Sequence, residues 1–226
     1  SKGDYFIKTN LQRQAKKRKE GNLYVLDGAT YSGEWKGGFR DGYGVQKWKD
    51  GAQYIGYWHE NKAHGEGKFM HVDGDVYKGS WANDKANGLG VYNIRMVQCM
   101  TESGGMISST VEASEVGDNS RYEGYYDQGR KHGLGTYWWS DGSLYSGEWR
   151  ENKISGLGVY QLLDGRRYEG EWYENNMEGM GCYTWADGRV YQGLYRDDKK
   201  HGFGIYKWTD GRYYEGFWYK GKQHGL

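Results

Sequence analysis

The sequence predicts an all-β protein, an antiparallel meander of about eight β-hairpin repeats of 23 residues each. Three observations predict it. A Tyr-x-Gly-x-aromatic motif recurs on a fixed step, turn residues recur between its copies, and glycine and aromatic residues stand where an aliphatic core would. A fixed step of this size marks a repeat architecture, in which each unit buries its apolar face against its neighbours.

The motif begins at Tyr31, Tyr54, Tyr77, Tyr122, Tyr145, Tyr168, Tyr191 and Tyr214, on steps of 23 residues except for a single step of 45. Six copies carry the full set and are the expected structural anchors. They are Tyr31, Gly33 and Trp35; Tyr54, Gly56 and Trp58; Tyr77, Gly79 and Trp81; Tyr145, Gly147 and Trp149; Tyr168, Gly170 and Trp172; and Tyr214, Gly216 and Trp218.

Each unit reads as two short strands. The first runs from a Gly-x-Gly pair, such as Gly156 and Gly158, to an Asp-Gly dipeptide, a strong hairpin-turn signal. The second strand is the anchor itself. Three residues after the anchor's last aromatic stand Gly38, Asn61, Asp84, Gly129, Asn152, Asn175, Asp198 and Gly221. Only residues that tolerate positive φ fill this site, so a second turn joins each hairpin to the next.

Side chains alternate across a strand, so Tyr145, Gly147 and Trp149 share a face of the second strand, and Gly135, Tyr137 and Trp139 share a face of the first. A bare glycine beside large rings suggests that a ring lies over the backbone, and Trp149 is expected to cover a neighbouring glycine. The opposite face holds Leu89 and Val91, Leu157 and Val159, and Phe203 and Ile205. Two readings stand for these six: a second packing stripe within a curved sheet, or a surface for a partner. Large exposed apolar patches usually mark interaction sites.

Composition supports an aromatic core. There are 39 glycines, 23 Tyr, 11 Trp, 5 Phe and no Pro. Each buried aromatic removes roughly 150–250 Å² from water, enough to replace the scarce aliphatics and to exclude disorder for most of the chain. No apolar run approaches the ~20 residues that span a bilayer. Cys99 and Cys182 form neither a disulfide framework nor a zinc site, which fits a reducing compartment.

The long step holds 22 additional residues between about 93 and 120, inside one hairpin. Aligned on the repeat, Met100, Glu102 and Gly104 stand where Tyr, Gly and Trp belong, so the segment is expected to be a partner-specific insertion and not a ninth hairpin. The expected organisation is therefore a basic segment 1–20 of helical character, repeats over 21–92, the insertion 93–120, and repeats over 121–226. The final motif stops midway at Leu226, from which the native chain is expected to continue.

No catalytic, cofactor-binding or metal-binding constellation emerges. His64, His132, His201 and His224 share one repeat position that elsewhere holds Asp41, Asn87, Ser155 and Glu178, the behaviour of a turn edge. Glu34, Glu148 and Glu171 are expected to join cross-strand charge pairs with Lys or Arg. No Lys-Ser/Thr and no helix follows the glycines, so they form no phosphate loop. Residues 1–22 carry a net +5 against +1 for the whole chain, which leaves the repeats at −4. Anionic lipid and nucleic acid reward clustered positive charge, so nucleic acid is not expected and lipid contact is confined to the basic segment.

The unit Tyr168-Glu-Gly-Glu-Trp172, Asn175, Gly179-Met-Gly181, Trp185-Ala-Asp-Gly188 resembles a MORN (membrane occupation and recognition nexus) repeat, as does Tyr54-Ile-Gly-Tyr-Trp58 with His64-Gly-Glu-Gly67. The resemblance covers residues 21–226 apart from the insertion. It implies an elongated single-layer ribbon of hairpins and no cofactor. Members include junctophilins, axonemal proteins, retinophilin, apicomplexan cytoskeletal scaffolds and the N-terminal halves of some phosphatidylinositol-phosphate kinases. The expected function is a non-catalytic scaffold that binds protein partners, several along the ribbon, in a cytoskeletal or ciliary assembly of the cytoplasm. The alternative is a regulatory or membrane-targeting module of a larger enzyme or membrane-contact protein, at the membrane periphery.

Overall fold

The computed structural model describes residues 23–26, 28–95 and 120–225. The first hairpins are built from β1 (Leu23–Leu26), β2 (Ala29–Lys36), β3 (Phe39–Lys47), β4 (Gln53–His59), β5 (Lys62–Met70), β6 (Val76–Ala82) and β7 (Lys85–Ile94). After the insertion come β8 (Ser120–Asp127), β9 (Arg130–Trp138), β10 (Leu144–Arg150), β11 (Lys153–Gln161) and β12 (Arg167–Tyr173). The last five are β13 (Asn176–Thr184), β14 (Val190–Arg196), β15 (Lys199–Lys207), β16 (Tyr213–Tyr219) and β17 (Lys222–His224). Each strand pairs antiparallel with the next in sequence, which makes one open sheet of seventeen strands.

The two connections alternate and use different chemistry. Between β4 and β5, Glu60 and Asn61 both take positive φ, 47° and 69°, the signature of a two-residue type I′ hairpin. The sequence identified the second of these positions and missed the first, since Glu60, Glu151, Glu174 and Lys220 are not turn-forming residues by type. Asp-Gly sits instead in the wider connection. There Gly51 N–H donates to the Trp48 carbonyl (3.1 Å), Asp50 Oδ1 accepts from Ala52 N–H (3.0 Å), and Gly51 alone has positive φ (99°). The aspartate is a side-chain cap, and the glycine supplies the left-handed residue after a tight turn.

A row of glycines crosses the sheet without a break from Gly33 on β2 to Gly216 on β16, each opposite the next. The reason is a ring. A Cβ placed on Gly158 would lie 2.2 Å from the Tyr145 hydroxyl, and one on Gly147 would lie 2.6 Å from the same atom. The phenol lies flat over both backbones and donates to the Glu148 carbonyl at 3.0 Å. All eight anchor tyrosines donate to the carbonyl three residues on.

This corrects the expectation for Trp149. Tyr145 covers the glycines, and Trp149 packs edge-on against Tyr145 and Tyr122 while its Nε1 donates to the Gly135 carbonyl (3.1 Å). The indole thereby ties one hairpin to the strand before it, as do Trp58, Trp81, Trp172 and Trp218. The first glycine of each Gly-x-Gly pair serves a separate need. At Gly156 the register shifts between Gly147 and Trp149, and this bulge residue has φ +74°.

The core is thus one face of one layer. Three buried clusters follow each other along the ribbon, joined by half-buried rings such as Tyr126 and Trp172. Tyr77 meets Tyr126 at 5.3 Å, so the aromatic face continues across the hairpin that carries the insertion. The ladder of that hairpin extends to Ile94 opposite Ser120. The expectations for segment 1–20, for Met100, Glu102 and Gly104, and for Leu226 lie outside the described residues.

Candidate interaction face

One face of the ribbon is sealed and the other is open. On the sealed face, Tyr54, Tyr122, Tyr145, Tyr168 and Tyr191 are fully buried, and Trp58, Trp81, Trp149 and Trp218 nearly so. Tyr31 and Tyr77 are buried as well, Trp172 and Tyr214 are half-buried, and Trp35 is exposed. Burial raises the phenols of Tyr31, Tyr54, Tyr77, Tyr122, Tyr145, Tyr168 and Tyr191 above their ordinary pKa; Tyr31 and Tyr191 are pushed up to about 12. Cations cap this face in some repeats. The Lys131 ammonium lies 4.3 Å from the Tyr137 ring centroid and 4.9 Å from that of Trp149, and burial pushes its pKa down to about 8. Lys200 repeats the arrangement over Tyr206 and Trp218. In both cases the cross-strand residue is a tyrosine, Tyr126 or Tyr195, where other repeats place Trp149 opposite Ile154 or Trp172 opposite Met177.

The open face carries the six candidate residues. Leu89, Leu157 and Phe203 are exposed, at 56%, 61% and 46%, while Val91, Val159 and Ile205 are half-buried beside them. No second layer covers them among the described residues. The structure adds members that the sequence reading missed: Tyr125, Leu134, Met180, Leu194 and Phe217, all exposed. Their registers put them in one line with the first three. Leu89 faces Tyr125, Met180 faces Leu194 and Phe203 faces Phe217, with Glu148 and Glu171 facing Leu134 and Leu157. The signal was parity. The middle residue of each Gly-x-Gly and the residue before each anchor's last aromatic occupy this row.

The repeated glutamates do not pair with cations as expected. Glu148 Oε1 accepts from Leu157 N–H (3.1 Å) and Glu171 Oε1 from Met180 N–H (3.0 Å). Each carboxylate satisfies a backbone donor that the bulge leaves outside the ladder. Cys182 lies half-buried in the neighbouring row, and its thiol is free.

The model of the MORN repeat matches residues 31–53, 54–76, 77–93, 122–144, 145–165, 168–188, 191–211 and 214–226. The chain belongs to the MORN repeat family. Its eight matched segments begin at the eight anchor tyrosines, and the one long gap between them, 94–121, falls on the insertion. No curated protein sequence matches the chain. Among solved structures, one similar chain is the SAS-4 (dCPAP) TCP domain in complex with a proline-rich motif of Ana2 (dSTIL) of Drosophila melanogaster. It is 13% identical with a TM-score of 0.41, over 91% of the MORN chain and 97% of the other.

Proposed function

We propose that this MORN ribbon is a non-catalytic scaffold that holds protein partners on its open face, within a cytoskeletal or ciliary assembly of the cytoplasm. The observation that carries the reading is the row of exposed leucine, methionine and phenylalanine side chains on a face that no second layer covers among the described residues. Exposed apolar side chains in contiguous patches mark interaction surfaces, and a stack of repeats presents such a surface rigidly and at regular spacing. The glutamates of the same face oppose anionic lipid, which favours proteins over membranes as partners.

Affinity capture from cells tests the reading. Wild-type chain should enrich cytoskeletal or ciliary proteins, and Leu157→Glu with Phe203→Glu should lose them while Lys153→Glu at the turn edge keeps them. Flotation with phosphoinositide vesicles that open-face substitution leaves unchanged, combined with unaltered protein capture, would favour the membrane-targeting module instead.

A further inference from the structure

We propose that the open face binds a cationic segment in the polyproline II conformation, laid across the strands from β7 to β16 with an apolar side chain at every third residue. The proposal rests on the reading of this face as a protein-binding surface and specifies its ligand.

The binding surface is a groove. Its floor is the backbone of the glycine row, whose side-chain positions point to the sealed face. One wall holds Leu89, Leu134, Leu157, Met180 and Phe203. The other begins with Val91, Thr136 and Val159, the residues two positions on. Over β7–β10 the groove widens into an open hollow of about 440 Å³ lined by Leu89, Leu134, Trp138 and Glu123, with Gly124 and Gly135 beneath.

The spacing of the wall selects the ligand. Equivalent wall residues recur every second strand, or about 9.6 Å at ~4.8 Å per strand. Three residues of polyproline II advance about 9.3 Å and return a side chain to the same face. An extended β-strand repeats its face every ~6.7 Å, so its next side chain misses the neighbouring wall residue by about 3 Å and only every third one returns near the wall. An α-helix returns after seven residues, at about 10.5 Å. Over the four intervals from Leu89 to Phe203 the accumulated error is about 1 Å for polyproline II and about 4 Å for the helix. A polyproline II segment also lacks internal hydrogen bonds, so it can follow the twist of the sheet where a rigid helix cannot.

Charge selects further. Across β7–β16 the two rows that flank the groove contain Glu123, Glu148, Glu169, Glu171 and Glu215 and neither Lys nor Arg. Arg121 and Arg167 reach Glu123 and Glu169 from the next row out, in solvent-exposed pairs that a ligand cation can displace. The apolar row is interrupted upstream, where Glu66 faces Ser80 and Lys68 faces Lys78 on β5 and β6, and only the pair Tyr43 and Tyr57 on β3 and β4 lies beyond. The footprint therefore accommodates about 13 ligand residues.

Fluorescence anisotropy on the full chain tests this with labelled synthetic peptides. The probe is a fifteen-residue (Leu-Arg-Pro)₅ peptide. Its comparators move the leucines to alternate positions, replace Arg with Glu, or place Leu and Arg on a heptad in an Ala-rich helix. The probe should bind at least tenfold more tightly than each comparator. Leu134→Asp with Leu157→Asp should abolish that difference, with unchanged circular dichroism; the milder Phe203→Ser should weaken binding if the double variant misfolds. Equal binding of the alternate-position peptide would reduce the effect to bulk charge and overturn the proposal. Tighter binding of the helical peptide would overturn it in favour of a helical partner, with the face still a protein-binding one. If no peptide binds while Leu157→Glu with Phe203→Glu still loses its captured proteins, the ligand proposal fails and the scaffold reading survives. Loss of neither would sink both.

Discussion

At the scale of single residues, the fold rests on a bargain between tyrosine and glycine. The ring fits only because two glycines leave their Cβ space empty, and the glycines are tolerated only because the ring covers their backbone. Gly158→Ala should therefore destabilise by about 2 kcal/mol or more, the cost of overpacking, and should cost far less in a Tyr145→Ala background. Urea unfolding of the four proteins in that cycle measures the coupling; additive effects would contradict the ring-over-glycine account. Trp149→Ala should cost about 3–5 kcal/mol, against about 1 for Glu148→Ala, which loses one hydrogen bond to Leu157 N–H. Equal melting temperatures would show the faces to be wrongly assigned. The phenols also set the alkaline limit. Below pH ~10 the phenols are protonated in both the folded and the unfolded chain. As pH rises from 10.0 toward the folded value of about 12 at Tyr31 and Tyr191, the unfolded chain releases protons that the folded chain retains. Stability is thus full below pH ~10 and falls through that window. Tyrosinate absorbance at 295 nm should reach its full amplitude only with loss of the sheet signal; complete titration of all 23 tyrosines in an intact sheet would contradict buried anchors. The anchor Tyr and Gly were legible in the sequence because parity fixes which residues share a face. Which ring lay over the glycine was not, since Tyr145 and Trp149 share that parity and only their reach and hydrogen bonding separate them.

At the scale of elements, the tight turn does more than reverse the chain. Asn175 combines positive φ (74°) with an Oδ1 that accepts from Ile154 N–H (2.8 Å), while its own N–H donates to the Ile154 carbonyl (2.9 Å). Asn61, Asp84, Asn152 and Asp198 form the same pair with Arg40, Ala63, Lys131 and Met177. Each turn thus ties its hairpin to the one before. Stability should fall in the order Asn175, Asn175→Gly, Asn175→Ala. Glycine loses about 1 kcal/mol for the side-chain bond, and alanine loses about 1–2 more for its left-handed backbone. Thermal unfolding of the three would check the order, and a glycine variant no better than alanine would refute it. The period-two pattern and the turn residues made the strands and their order legible. The bulge at each Gly-x-Gly was not, because positive φ at the first glycine and crowding at the second leave the same letter in the sequence.

At the scale of the whole molecule, contacts run between consecutive strands, so the ribbon behaves as a one-dimensional stack. Seventeen strands at ~4.8 Å imply a length near 80 Å before twist and bend shorten it. Small-angle scattering should show an elongated particle; a compact sphere would contradict the fold. The repeat number was legible because the 23-residue step recurs across the chain, and the single layer was implied by the resemblance to MORN repeats. The full extent of the open row was not, because Glu148 and Glu171 interrupt it in sequence while the sheet sets them beside Leu134 and Leu157. The central claim is that one face is sealed by aromatic rings and the other is left for a protein partner. Hydroxyl-radical footprinting of the chain, free and bound to a captured partner, tests it most directly. Free chain should oxidise at Met180, Phe203 and Phe217 and stay unlabelled at Tyr145 and Tyr168, and the partner should protect the first three. Protection confined to the tyrosine and tryptophan face, with Met180 and Phe217 still reactive in the complex, would contradict the account.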